Sequence, residues 1–154
     1  MTREEFIEIL ENKNYPFKEE GGKIIVTYSS AYGYVNLDGL SSIPSGVVFD
    51  NSGSVNLEEI DRIPEGTVFT NGGEIFLEGL KDIYPGVVFN NGKDIYLPSV
   101  KSISPAIEFN SYGNIYLISL IGGWFQHWRG NIDGIQPNML LNKMISLGLF
   151  DKKR

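Results

Sequence analysis

The sequence predicts an all-β protein, a single-stranded β-solenoid of about five 20-residue coils with short capping helices at both ends. Three observations carry that prediction. Apolar residues recur every 20 positions without an insertion. Within each unit they are two apart at the third and fifth and at the fifteenth and seventeenth positions, and three apart at the fifth, eighth and eleventh. Proline, glycine and asparagine fall where that spacing changes.

The repeat is plainest in "GSVNLEEIDRIPEGTVFTNG", residues 53–72, set against "GEIFLEGLKDIYPGVVFNNG", residues 73–92. Units begin at Gly33, Gly53, Gly73, Lys93 and Gly113. The third position reads Val35, Val55, Ile75, Ile95, Ile115, and the fifth Leu37, Leu57, Leu77, Leu97, Leu117. The eighth reads Leu40, Ile60, Leu80, Val100, Leu120, and the eleventh Ile43, Ile63, Ile83, Ile103. The fifteenth is Val47, Thr67, Val87, Ile107, and the seventeenth Phe49, Phe69, Phe89, Phe109. A spacing of two is strand periodicity, which sends alternate side chains to one face. A spacing of three requires a bend. The bends carry Pro44, Pro64, Pro85 and Pro105, then Gly46, Gly66 and Gly86, then Asn51, Asn71 and Asn91.

One such unit cannot bury its own apolar face, but a stack can. Coils about 4.8 Å apart would pile like side chains into internal columns. A leucine-rich-repeat horseshoe is the alternative at this repeat length, but the asparagine expected after an L-x-L strand is absent; Glu59, Gly79 and Ser99 stand near that place.

A stack leaves open strand edges, so both ends need closing. Thr2 and Glu5 form a capping-box pattern ahead of Phe6, Ile7, Ile9 and Leu10, which predicts a helix. Residues 22–32 read as a degenerate first coil. After Leu120 the pattern dissolves, and "PNMLLNKMISLGLF" predicts a second helix entered at Pro137 and stopped at Gly148. Its spacing places Met139, Leu140, Lys143, Met144 and Leu147 on one face. The expected organisation is therefore an N-terminal helix and linker at 1–21, a solenoid at 22–123 and a C-terminal cap at 124–154.

The chain has 154 residues and a formal net charge of −6. That balance argues against nucleic acid or an anionic membrane as direct partner, because phosphate needs a basic footprint. It leaves a basic protein as a partner. With no cysteine there is neither a disulfide nor a thiolate metal site. No signal-peptide pattern opens the chain, so a cytoplasmic location is expected.

Little chemistry is legible. His127, the one histidine, lies between aromatics with no nucleophile motif nearby and reads as structural. No phosphate-cradling or metal-binding motif occurs, so neither a cofactor nor a metal is expected, nor an enzyme. The column Asn51, Asn71, Asn91, Ser111 reads as side chains satisfying backbone groups at a bend.

The outward columns are the candidate sites. The fourth position runs Asn36, Asn56, Phe76, Tyr96, Tyr116, and Glu74, Glu78 and Asp94 flank its aromatic half, an acidic–aromatic strip suited to a protein partner. The sixteenth position runs Val48, Val68, Val88, Glu108; these valines, with Trp124 and Trp128, are candidates for self-association or for packing under the terminal segments.

The run "NGGEIFLEGLKDIYPGVVFNNGKDIYL" and the tail "DGIQPNMLLNKMISLGLF" resemble the tandem repeats of small proteins common in bacteriophage and mobile-element genomes. The resemblance covers roughly residues 33–149 and is specific for architecture; the fourth coil departs from it at Ser104, Ala106 and Glu108. It implies a β-solenoid acting as a phage accessory factor, by analogy one that inhibits a host defence protein. The alternatives are a structural or virion component forming homo-oligomers, and an enzyme using carboxylates along one face.

Overall fold

The computed structural model describes residues 1–121 and 139–151. The chain opens with helix α1 (Arg3–Asn12) and a hairpin of β1 (Phe17–Glu20) and β2 (Lys23–Val26). Then come β3 (Val35–Asn36), β4 (Val47–Phe49), β5 (Val55–Asn56), β6 (Val68–Phe69), β7 (Ile75–Phe76) and β8 (Asp82–Ile83). Next are β9 (Val88–Phe89), β10 (Ile95–Tyr96), β11 (Ser102–Ile103), β12 (Ile115–Tyr116), α2 (Ile118–Ile121) and α3 (Met139–Ser146).

The strands stack into three sheets, which makes the molecule a β-solenoid and rules out the horseshoe. One sheet has the order β1-β2-β4-β6-β9, the second β12-β10-β7-β5-β3, and the third pairs β11 with β8. Apart from the β1–β2 hairpin every pairing is parallel, and between the repeated coils the register is one 20-residue unit: Val55 pairs with Ile75, Ile75 with Ile95, Ile95 with Ile115. Of the six inward columns in the four full coils, only Leu40 escapes full burial. It lies in the first coil, where its column has no neighbour below.

Phe49, Phe69, Phe89 and Phe109 form one internal stack, with centroids 5.3, 5.4 and 4.9 Å apart. All four are buried. The third sheet holds two strands. Ser104 donates its N–H to Ile83, whereas Pro64, the equivalent residue of the second coil, has no N–H to give to the first. The neighbouring turn holds Gly46, Gly66 and Gly86 at φ of 78°, 84° and 91°, whereas Ala106 of the fourth coil lies outside the left-handed region.

The two ends are closed by different devices. At the first coil, α1 begins with the expected capping box: Glu5 N–H donates to Thr2 Oγ1 at 3.2 Å, and Thr2 N–H to Glu5 Oε2 at 2.7 Å. The backbone bond from Thr2 is the main reason the Glu5 carboxyl sits below its ordinary pKa. The helix is followed by Asn14 in the left-handed region, φ 57°, with Tyr15 N–H reaching back to Leu10 C=O at 2.9 Å. Phe6 and Leu10 are buried against the core. The degenerate first coil is real: Ile24 pairs with Val47 and Val26 with Phe49. The antiparallel strand β1 was not expected. Its hairpin with β2 crosses the expected boundary at residue 21, and β1 presents Lys18, Glu19 and Glu20 at the sheet edge, charges that discourage further pairing. On the neighbouring sheet, Tyr15 takes the place of a missing strand. Its hydroxyl accepts from Asn36 N–H at 3.0 Å and donates to Asn36 C=O at 3.5 Å.

Asn142 does the same at the far end. Its Oδ1 accepts from Phe109 N–H at 2.7 Å and its Nδ2 donates to Phe109 C=O at 2.8 Å. One side-chain amide thus reproduces a β-bridge on the last phenylalanine of the column. Phe150 adds a second such contact, its carbonyl accepting from Ile103 N–H at 2.9 Å. Gly148, φ 73°, stops α3 as expected. The buried face of that helix carries Leu141 and Ile145 with Met144 partly covered, while Lys143 and Leu147 are exposed. Docking is set by Asn142, which must face the sheet edge, and this turns the helix away from the spacing of apolar residues alone. Asn142→Ala is expected to cost about 1–3 kcal/mol, the penalty of orphaning buried backbone groups, measurable by urea denaturation.

Candidate partner-docking face

The sheet β3-β5-β7-β10-β12 turns its third and fifth positions inward and its second, fourth and sixth outward. In the fourth position the parallel register brings Phe76, Tyr96 and Tyr116 into one ladder. Phe76 and Tyr96 lie 4.9 Å apart at 8° between planes, and Tyr96 and Tyr116 4.6 Å apart at 2°. Each ring is half-buried, and the two contacts cover both faces of Tyr96 and one face each of Phe76 and Tyr116. The side of the stack open to solvent is therefore a strip of ring edges. Aromatic edges carry the positive end of the ring quadrupole.

Below the rings the column changes character. Asn36 and Asn56 turn their Oδ1 atoms onto the backbone N–H of Asp38 and Glu58, at 3.1 and 3.0 Å, closing the turn after each strand.

The carboxylates beside the ladder are held in place. Ser54 donates its hydroxyl to Glu74 Oε2 at 2.6 Å and accepts Glu74 N–H at 3.1 Å. That hydroxyl is the largest reason the Glu74 carboxyl titrates below its ordinary value, with Lys93 helping by charge. Asp94 Oδ1 accepts from Asn114 N–H at 2.7 Å, and Asp94 Oδ2 lies 3.5 Å from the Tyr96 hydroxyl. Burial first, then the charge of Asp94, pushes the Tyr96 phenol above its ordinary value. Asn114 Nδ2 reaches the Tyr116 hydroxyl at 3.4 Å. Glu78 is exposed. The two carboxylates thus serve the fold as well as the surface, each joining one coil to the next.

The second candidate column stands on the sheet β1-β2-β4-β6-β9. Val48 and Val68 are half-buried and Val88 is 44% exposed; Ile25 continues the column below and exposed Glu108 ends it above. Trp124 and Trp128, like Phe125 and His127, lie outside the described residues.

Inside the corner, Asn51, Asn71 and Asn91 are buried, as is Ser111. Each amide nitrogen is shared among three backbone carbonyls: for Asn71 these are Gly53 at 3.1 Å, Gly73 at 3.2 Å and Glu74 at 3.2 Å. The three amide oxygens have no hydrogen-bond partner. Flipping an amide would set its oxygen against three carbonyls, so the observed orientation is the only workable one.

Among the described residues no cluster of three or more His, Asp or Glu is disposed to hold a metal, and no helix is long and apolar enough to cross a membrane. A groove of about 680 Å³ lies between the fourth coil and α3; its charged residues, Glu108 and Lys143, are both exposed. Comparison with protein-family models, curated proteins and solved structures finds no match to this chain.

Proposed function

We propose that this β-solenoid is a non-catalytic binding protein that docks a basic protein partner on the face built around Phe76, Tyr96 and Tyr116. The observation that carries the reading is the stack of rings within a frame of carboxylates. The two stacked contacts cover both faces of Tyr96 and one each of Phe76 and Tyr116, so a sugar or a nucleobase cannot enter between the rings. What remains is a flat apolar strip with phenol hydroxyls, bordered by Glu74, Glu78 and Asp94 and, lower on the same sheet, by Asp38 and Glu58. That chemistry suits a flat protein surface carrying Lys or Arg around an apolar patch. The particular form of this role that the phage-like repeat favours is inhibition of a host defence protein, with the acidic strip filling a basic groove.

The test uses Phe76→Ser, Tyr96→Ser and Tyr116→Ser together. The variant should stay folded, losing roughly 1–3 kcal/mol for two stacked pairs, because the inward columns are untouched. Glu78→Lys accompanies it as a change of charge alone. A basic protein captured by the wild type from bacterial lysate, released by the triple variant and weakened by Glu78→Lys, is the expected result. Binding should also fall in 1 M salt, where the screening length shrinks to about 3 Å. Capture that neither variant changes would dismiss this face as the site.

The exposed Val88 at the top of the valine column supports a second reading, self-association through Val48, Val68 and Val88. Sedimentation of wild type and Val88→Lys decides it: a stable oligomer dispersed by the lysine supports that reading, and a monomer rejects it.

A further inference from the structure

The sequence has two Asn-Gly pairs, Asn71-Gly72 and Asn91-Gly92, and the fold needs both members of each. The asparagine supplies the buried corner amide. The glycine is required because successive coils nearly touch: a Cβ on Gly92 would stand 2.5 Å from the Gly72 carbonyl oxygen, and one on Gly72 would collide with that of Ser52. Together they make the dipeptide in which attack on the side-chain amide is least hindered, since glycine puts no side chain beside the attacking nitrogen.

We propose that Asn71 and Asn91 are deamidation sites held shut by the fold, so that prolonged unfolding converts the chain to a form that refolds only with much reduced stability. The glycine backbone nitrogen attacks Asn Cγ. A nitrogen–Cγ bond forms, the Cγ–Nδ2 bond breaks, and the glycine N–H proton leaves with Nδ2 as ammonia. Water then opens the succinimide at either carbonyl, giving aspartate or isoaspartate.

In the folded chain each reacting group is engaged elsewhere. Gly72 N–H donates to Asn51 C=O at 3.0 Å, and Gly92 N–H to Asn71 C=O at 2.9 Å. The departing nitrogens are pinned by carbonyls, those of Asn91 by Gly73 at 3.1 Å and Lys93 at 2.9 Å. Both asparagines are shut off from water, at 1% and 0% exposure. Unfolding releases all of these restraints at once.

The product does not fit the native site. A carboxylate oxygen replaces Nδ2 and meets the same backbone carbonyls with no N–H to offer. Isoaspartate also inserts a methylene into a backbone whose register is fixed at 20 residues by the coils on either side. Asn51 is a built-in control, because its nitrogen makes the same contacts, to Gly33, Gly53 and Ser54, but Ser52 follows it.

The experiment incubates the full chain at mildly alkaline pH, native and in urea, and follows each asparagine by peptide mass mapping. In urea Asn71 and Asn91 should convert while Asn51 lags. The native protein should convert more than about a hundredfold more slowly, since protection scales with the opening equilibrium. After removal of urea the deamidated fraction should melt well below the untreated protein when followed by circular dichroism. Equal rates in native and unfolded protein, Asn51 keeping pace, or deamidated chains that regain the native melting temperature would each overturn the proposal.

Discussion

Phe69→Ala is expected to cost about 3–5 kcal/mol, the upper range for truncating a buried side chain. Phe69 is fully buried between Phe49 and Phe89, at interplanar angles of 11° and 6°. The void cannot close, because backbone bonds fix the coil spacing on both sides: Thr70 N–H to Phe49 C=O at 2.9 Å, and Asn90 N–H to Phe69 C=O at 2.8 Å. Among the described residues Phe109 has only one ring neighbour in the stack, with planes 30° apart. Its truncation should therefore cost less, by about the 0.5–1.5 kcal/mol of one aromatic pair. Urea denaturation of both variants at unchanged slope measures the difference. Equal costs at 69 and 109 would mean that the rings act as independent core residues rather than as a stack.

The columns were legible because a solenoid translates sequence period directly into spatial register. Once Phe49 and Phe69 occupy equivalent positions, Val48 and Val68, Asn56 and Phe76, and Asn51 and Asn71 follow. Even the capping box of α1 and the stop at Gly148 could be read, since both are local signals. What could not be read are contacts without a period. Asn142 lies 33 residues from Phe109, and an asparagine in a helix gives no sign that its amide will complete a sheet edge. The apolar spacing of α3 pointed to Leu147, which is 54% exposed, whereas docking through Asn142 buries Leu141 and Ile145. Tyr15 was missed for the same reason, as a side chain substituting for backbone. At the candidate face, periodicity placed Phe76, Tyr96 and Tyr116 in one column but was silent on their stacking, which decides what class of ligand can use them. It also could not tell that Glu74 and Asp94 are tied to Ser54 and Asn114 one coil away.

The corner ladder gives the second large effect. Asn71→Asp should lose about 3–5 kcal/mol at neutral pH, the range for a buried charge without a partner. The amide oxygen of Asn71 makes no hydrogen bond, so the nitrogen carries the whole polar contribution of this side chain. Aspartate offers only acceptors to those three carbonyls. Its protonated form can still donate one O–H, and burial favours that neutral form, which raises the carboxyl pKa in the folded chain above its unfolded value near 3.9. The folded state then binds the extra proton, so the variant is least penalised below the unfolded pKa and loses stability as pH rises through the folded value. Asn71→Leu removes the same donors without adding charge, so its cost should not depend on pH. The gap between the two variants, followed by urea denaturation from pH 4 to pH 7, should open as pH rises. A constant gap would mean that the aspartate escapes to solvent and that the corner is less sealed than its 1% exposure requires.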